Sequence, residues 1–88
     1  MSADILDRVR AFVRETFMYA QPDAALPDDA LLLERGIIDS MGVVELVGFL
    51  QEEFGIDVED SEITEDNLGS LRTIDAYVRA KLDGSGGN

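Results

Sequence analysis

Eighty-eight residues, 45% apolar and 30% charged, suit one small folded domain with a thin core, because a chain of this size buries only about 60% of the surface it exposes when unfolded. Nineteen acidic residues against seven basic ones leave a formal charge of -12. That field repels nucleic-acid phosphates and anionic membrane surfaces and draws in basic protein partners, although the same charge also serves as a plain solvated surface. Cysteine and histidine are both absent, which excludes disulfides, thiol nucleophiles, zinc sites built on those ligands and serine–histidine catalysis.

The amino-terminal stretch carries Asp4, Asp7, Arg8, Arg10, Arg14 and Glu15, so it contains no signal-peptide core, and no later segment is apolar enough to span a bilayer. A cytoplasmic address is expected. Ile5, Val9, Phe12, Val13 and Phe17 recur at helical intervals and predict an amphipathic first helix capped by Ser2 or Asp4 and ended before Pro22. A connection of about twenty residues follows, from Met18 to Ile38, and loops of that length in small domains are often functional. Its Leu26, Leu31, Leu32 and Leu33 are expected to pin it across the domain, with a helical turn conceivable after Pro27.

The second helix is expected from Ser40 to Phe54, closed by Gly55. At about 100° per residue, Val43, Leu46, Val47, Leu50 and Phe54 form its core side. Met41, Glu45, Gly48 and Glu52 form the opposite side, and Met41 and Val44 leave apolar surface beside Ser40 that the fold does not need. Phe49 lies on the flank, as core margin or contact surface. Ile56 and Val58 alternate with acidic residues in a short extended stretch, Thr64 can cap one or two turns ending at Leu68, and Ser70 can cap a last helix carrying Leu71, Ile74, Tyr77, Val78 and Leu82 up to Asp83. Residues 1–83 then form one all-α domain of three main helices plus a short fourth, with a long loop between the first two, and 84–88 form a flexible glycine-rich tail. No calcium-loop spacing is present in the acidic run from Asp57 to Glu62, and no metal or catalytic residues are predicted.

One serine has a position with chemical use. In Glu34-Arg35-Gly36-Ile37-Ile38-Asp39-Ser40-Met41, the Ser40 hydroxyl stands where a loop becomes a helix, and an anionic group attached there meets unpaired amides and the positive end of the helix dipole. Asp39 can cap the helix or supply a carboxylate to a metal ion held by a modifying enzyme, and the pair taken alone also reads as an ordinary N-cap.

The run Gly36-Ile37-Ile38-Asp39-Ser40-Met41-Gly42-Val43-Val44-Glu45-Leu46 resembles the phosphopantetheine attachment motif of acyl and peptidyl carrier proteins, in which Asp-Ser-Leu or Asp-Ser-Met opens the second helix. The resemblance extends over nearly the whole chain, through Glu52-Glu53-Phe54-Gly55-Ile56 to Leu82. It implies that a phosphopantetheinyl transferase, using coenzyme A and magnesium, attaches a 4'-phosphopantetheine arm to Ser40. The chain itself then catalyses nothing and presents thioester-bound cargo to other enzymes. It further implies docking through Met41, Val44, Glu45, Gly48 and Glu52, with Asp39 and Glu34 as weaker contacts; for the glutamates a solvated helix face is an equal alternative.

Gly42 and Gly48 depart from the fatty acid synthesis pattern, which has an acidic and a larger apolar residue there, and the Gly-Gly that precedes Asp-Ser in many peptidyl carriers is missing. The motif is closer to D-alanyl carriers and to freestanding carriers served by acyl- or aminoacyl-adenylate-forming ligases and downstream acyl-processing enzymes. A monomer working in a specialised pathway is the resulting expectation. The competing reading is an acidic helical adaptor that binds a basic protein without covalent cargo.

Overall fold

A computed structural model of the chain describes residues 4–21 and 23–86. In chain order it contains α1 (Ile5–Phe17), α2 (Ser40–Phe54), a 3₁₀ turn (Asp60–Glu62), α3 (Glu65–Leu68) and α4 (Leu71–Gly86). The all-helical architecture, three long helices and one short, is the one the periodicity predicts. Asp4 caps α1, its carboxylate accepting the Ile5 amide at 2.9 Å; Ser2 and Pro22, the other expected signals for this helix, lie outside the described residues.

Short polar residues and glycine set the other boundaries. Gly55 closes α2 in the left-handed conformation at φ 67°, which costs glycine little because it has no β-carbon. Thr64 accepts the Asn67 amide at the start of α3. Ser70 and Thr73 cap α4 reciprocally, each side-chain oxygen accepting the other residue's amide. At its far end α4 passes the expected limit at Asp83 and runs to Gly86, so the predicted tail is helical over 84–86; a formed helix adds residues without a new nucleation cost, and no proline stands in the way. Gly87 and Asn88 lie outside the described residues.

The core is drawn from all of these elements. Val9 and Val13 of α1, Leu46 and Leu50 of α2, and Leu71, Ile74 and Val78 of α4 are completely buried, with Leu26, Leu32 and Ile38 contributed by the long loop. Leu33 and Leu82 depart from expectation: both are exposed. For Leu33 the cause is the tight turn around it, where Leu32 turns inward and the Gly36 amide donates back to the Leu33 carbonyl.

The long loop is fastened by its buried Leu26 and Leu32, as expected, and also by backbone bonds to arginines and to the start of α4. Arg10 donates to the Leu26 carbonyl at 2.6 Å and pairs with Asp28, and Arg14 donates to the Ala24 carbonyl at 3.0 Å. The Leu32 amide donates to the Gly69 carbonyl and the Arg72 amide to the Asp28 carbonyl, both at 2.9 Å. After Pro27 the chain makes a single turn, closed by the Ala30 amide, and no helix. Gly36, at φ 72°, then redirects the chain so that Ile38 is buried and Asp39 and Ser40 emerge at the surface.

Candidate functional site

Asp39 and Ser40 occupy the junction that the sequence singles out. Asp39 is extended and caps α2, one of its carboxylate oxygens accepting the Gly42 amide at 2.8 Å while its carbonyl accepts the Val43 amide at 3.0 Å. Ser40 is the first residue of the helix and is exposed. Its amide and that of Met41 precede the first intrahelical bond, so an anion on the Ser40 hydroxyl meets the positive end of a 15-residue helix. Of the two roles open to Asp39, the cap is the one the structure displays.

Beside Ser40 lies an open cleft of about 480 Å³ lined by Ser40, Val43, Val44 and Val47 of α2 and by Asp60 and Ile63 across from them. Val43 and Val47, expected wholly in the core, are only partly buried because the segment after Val58 stands off from this side of α2. A smaller cavity of about 120 Å³ adjoins, sharing Val43 and Ile63 and reaching Leu68 and Gly69. Ser40 thus stands exposed at the lip of an aliphatic groove, reachable from solvent and with apolar surface beside it.

The wall opposite α2 is tied to α4 through one carboxylate. Glu62 Oε1 accepts from the Glu59 amide at 3.0 Å, from the Tyr77 hydroxyl at 2.9 Å and from Lys81 Nζ at 3.0 Å. These donors, the Glu59 amide foremost and then Lys81 and Tyr77, hold the Glu62 carboxyl below its ordinary range. Burial, then the bond to Glu62 and the negative charge there, push the Tyr77 phenol up to about 12. Glu62 lies between Asp60 and Ile63 in the chain, so this latch fixes the segment that carries both cleft residues onto α4.

The predicted contact residues fall into two groups. Met41 and Val44 are strongly exposed, at 73% and 66%, and Val44 belongs to the cleft beside Ser40. Glu45, Gly48 and Glu52 instead line a second groove together with Phe12, Thr16 and Phe49. Glu34 is exposed on the loop that precedes Ser40. Among the described residues no three acidic side chains gather closely enough to hold a metal, and no helix is long and apolar enough to cross a membrane.

A family model described as a phosphopantetheine attachment site matches residues 7–77. The chain belongs to this family. Its members are carriers and not enzymes, and the prosthetic group is 4'-phosphopantetheine. Relatives include an acyl carrier protein of Campylobacter hominis, 37% identical over 85% of this chain and 90% of the relative. A D-alanyl carrier protein of Abiotrophia defectiva is 32% identical over 61% of this chain and 68% of the relative. An acyl carrier protein of Zymomonas mobilis is 26% identical over 86% and 92%.

Two features of this carrier escape a reading of the sequence. Ile63 and Asp60, which line the cleft, lie in a segment without clear periodicity and carry no signal of their own. Gly42 reads as a missing acidic residue, yet it is buried, and a β-carbon built there comes within 2.9 Å of the Phe17 ring and 3.1 Å of Ile38. The approach of α1 to the start of α2, together with the buried Ile38 of the loop, makes a side chain at position 42 costly.

Proposed function

We propose that the 4'-phosphopantetheine arm of this carrier is attached to the Ser40 hydroxyl. The observation that carries the reading is an exposed hydroxyl on the first residue of α2, at the lip of an apolar cleft, in a chain that the family model matches on both sides of it. When bound, the arm supplies a terminal thiol on which acyl or aminoacyl groups are held as thioesters. Asp39 keeps the helix start formed through Gly42, and its second oxygen is free to meet the magnesium of a phosphopantetheinyl transferase. The Ser40 and Met41 amides favour the phosphodiester by the helix dipole. Val43, Val44, Val47 and Ile63 offer apolar surface to the cargo and shelter it from water.

Partner enzymes dock on Met41, Val44, Glu45, Gly48 and Glu52 in this reading, the exposed apolar residues giving contact and the glutamates drawing in basic surfaces. Both acyl and D-alanyl carriers stand among the relatives. The absence of an acidic residue at Gly42 and of a large one at Gly48 favours a specialised route fed by an acyl- or aminoacyl-adenylate-forming ligase. Exposure to coenzyme A, magnesium and a promiscuous transferase should add one phosphopantetheinyl group to the wild type, detected by intact mass, and none to Ser40→Ala. A mass gain that persists in Ser40→Ala, or no gain in the wild type, overturns the assignment, and the second outcome favours the acidic adaptor.

A further inference from the structure

Three methionines occur in the chain, and the fold treats the two described ones oppositely. Met18 is the C-cap of α1 and is buried, with 6% of its surface exposed. Met41 is the second residue of α2, directly after Ser40, and is 73% exposed. Its side chain belongs neither to the core nor to the margin packed around it. Cysteine is absent, so the methionine thioethers are the softest nucleophiles the chain offers and no thiol intercepts an oxidant before them.

We propose that Met41 is a site of reversible oxidation by hydrogen peroxide, and that its sulfoxide switches off docking at Ser40. The sulfur lone pair takes one peroxide oxygen, the O–O bond breaks, and the other oxygen leaves as water with both hydrogens. Sulfur is oxidised by two electrons as peroxide is reduced. Peroxide is uncharged, so the formal charge of -12 does not keep it away, whereas the same field repels anionic oxidants. Access then decides between the two described thioethers, and Met41 has it. Met41 and Val44 lie one helical turn apart and make the exposed apolar surface beside Ser40. A sulfoxide there is a polar acceptor, and covering it with a partner's apolar surface strips it of the water it bonds. The fold is spared, because Met41 stands outside the core. A sulfoxide reductase returns the thioether, two thiols giving a disulfide as the oxygen leaves in water. The inference rests on the reading of Met41 as a docking residue.

The test treats the full chain, before any arm is attached, with hydrogen peroxide, removes the oxidant and follows each methionine after trypsin. Cleavage after arginine puts Met1, Met18 and Met41 in separate peptides, residues 1–8, 15–35 and 36–72. The 36–72 peptide should gain one oxygen, about 16 Da, at least about tenfold faster than 15–35. With coenzyme A, magnesium and a transferase, the treated wild type should be modified at least about fivefold more slowly than the untreated, the size of one apolar interface contact. The treated-to-untreated ratio should return to one in Met41→Leu, which has no sulfur at that position, and in wild type repaired with methionine sulfoxide reductase and a dithiol. Far-ultraviolet circular dichroism should not change on treatment. Equal oxidation of the two peptides, an unchanged transferase rate, slowing that persists in Met41→Leu, or loss of helix on oxidation would overturn the proposal. The untreated arm alone judges Ser40, so an unmodified wild type and an insensitive Met41 remain distinct results.

Discussion

Helix α2 faces two different neighbours, an aliphatic cleft on the side of the 3₁₀ turn and an aromatic seam on the side of α1. In the cleft, Val43, Val44, Val47 and Ile63 leave space between the walls, one of which is tied to α4 through Glu62. Across the seam, Phe17 meets Phe12 edge-on at 5.8 Å, Phe12 stacks on Phe49, Phe49 meets Phe54 edge-on at 6.0 Å, and Arg8 lies over Phe54 at 5.0 Å. Large rings fill the gap between two helices, and the seam ends where Phe17 rests on Gly42. One helix thereby combines a flank tied to α1 by ring contacts, and grooved beside Gly48, with a flank that offers aliphatic surface beside Ser40.

If the seam is packed and the cleft is not, substitutions on the two flanks should differ sharply. Gly42→Val forces a side chain against Phe17 and should cost about 2 kcal/mol, read as a lower urea midpoint with an unchanged slope. Val44→Ala, on the exposed lip of the cleft, should stay within about 0.5 kcal/mol of wild type. A similar cost for both would refute the contrast.

The latch is tested by Tyr77→Phe, which removes one donor to Glu62 and should cost about 1 kcal/mol near neutral pH. Because folding raises the Tyr77 pKa from 10.0 to about 12, its stabilising contribution is complete below pH 10.0 and fades as pH climbs through about 12. Ultraviolet titration of the wild type should therefore show a late phenol transition near 12 that Tyr77→Phe lacks. For Glu62 the sign is opposite: its lowered pKa makes the contribution present above the ordinary 4.5 and lost as pH falls through the depressed value. Glu62→Gln should accordingly flatten the acid limb of the stability profile.

The smallest expected effect is a gain. Gly48→Ala places a methyl in open space on a helix interior and should raise stability by up to about 1 kcal/mol, measured by thermal unfolding. A loss instead of a gain would mean that position 48 is more tightly enclosed than the groove implies.

The helices were readable from local chemistry. The periodic apolar residues, Asp4, Thr64 and Ser70 as caps and Gly55 as terminator mark α1, α2 and α3 closely and the start of α4, because a helix end is decided by which nearby group satisfies its amides or carbonyls. The Asp39-Ser40 junction was readable for the same reason. The route of the long loop was not: Leu33 and Leu32 are adjacent and chemically identical, and only the bonds to Gly69 and within the turn send one inward and the other to solvent.

The amino-acid sequence by itself determined an acidic all-helical domain with a serine at the start of its second long helix, since those features depend on composition, spacing and neighbours in the chain; the carrier role followed from the resemblance of that run to a known motif. Tertiary structure alone decided that Val43 and Val47 border a cleft, that Gly42 supports Phe17, and that Glu45, Gly48 and Glu52 belong to a groove shared with α1. Each of these depends on the separation between elements distant in sequence, which follows from how side chains of given size pack against one another and which no local pattern encodes.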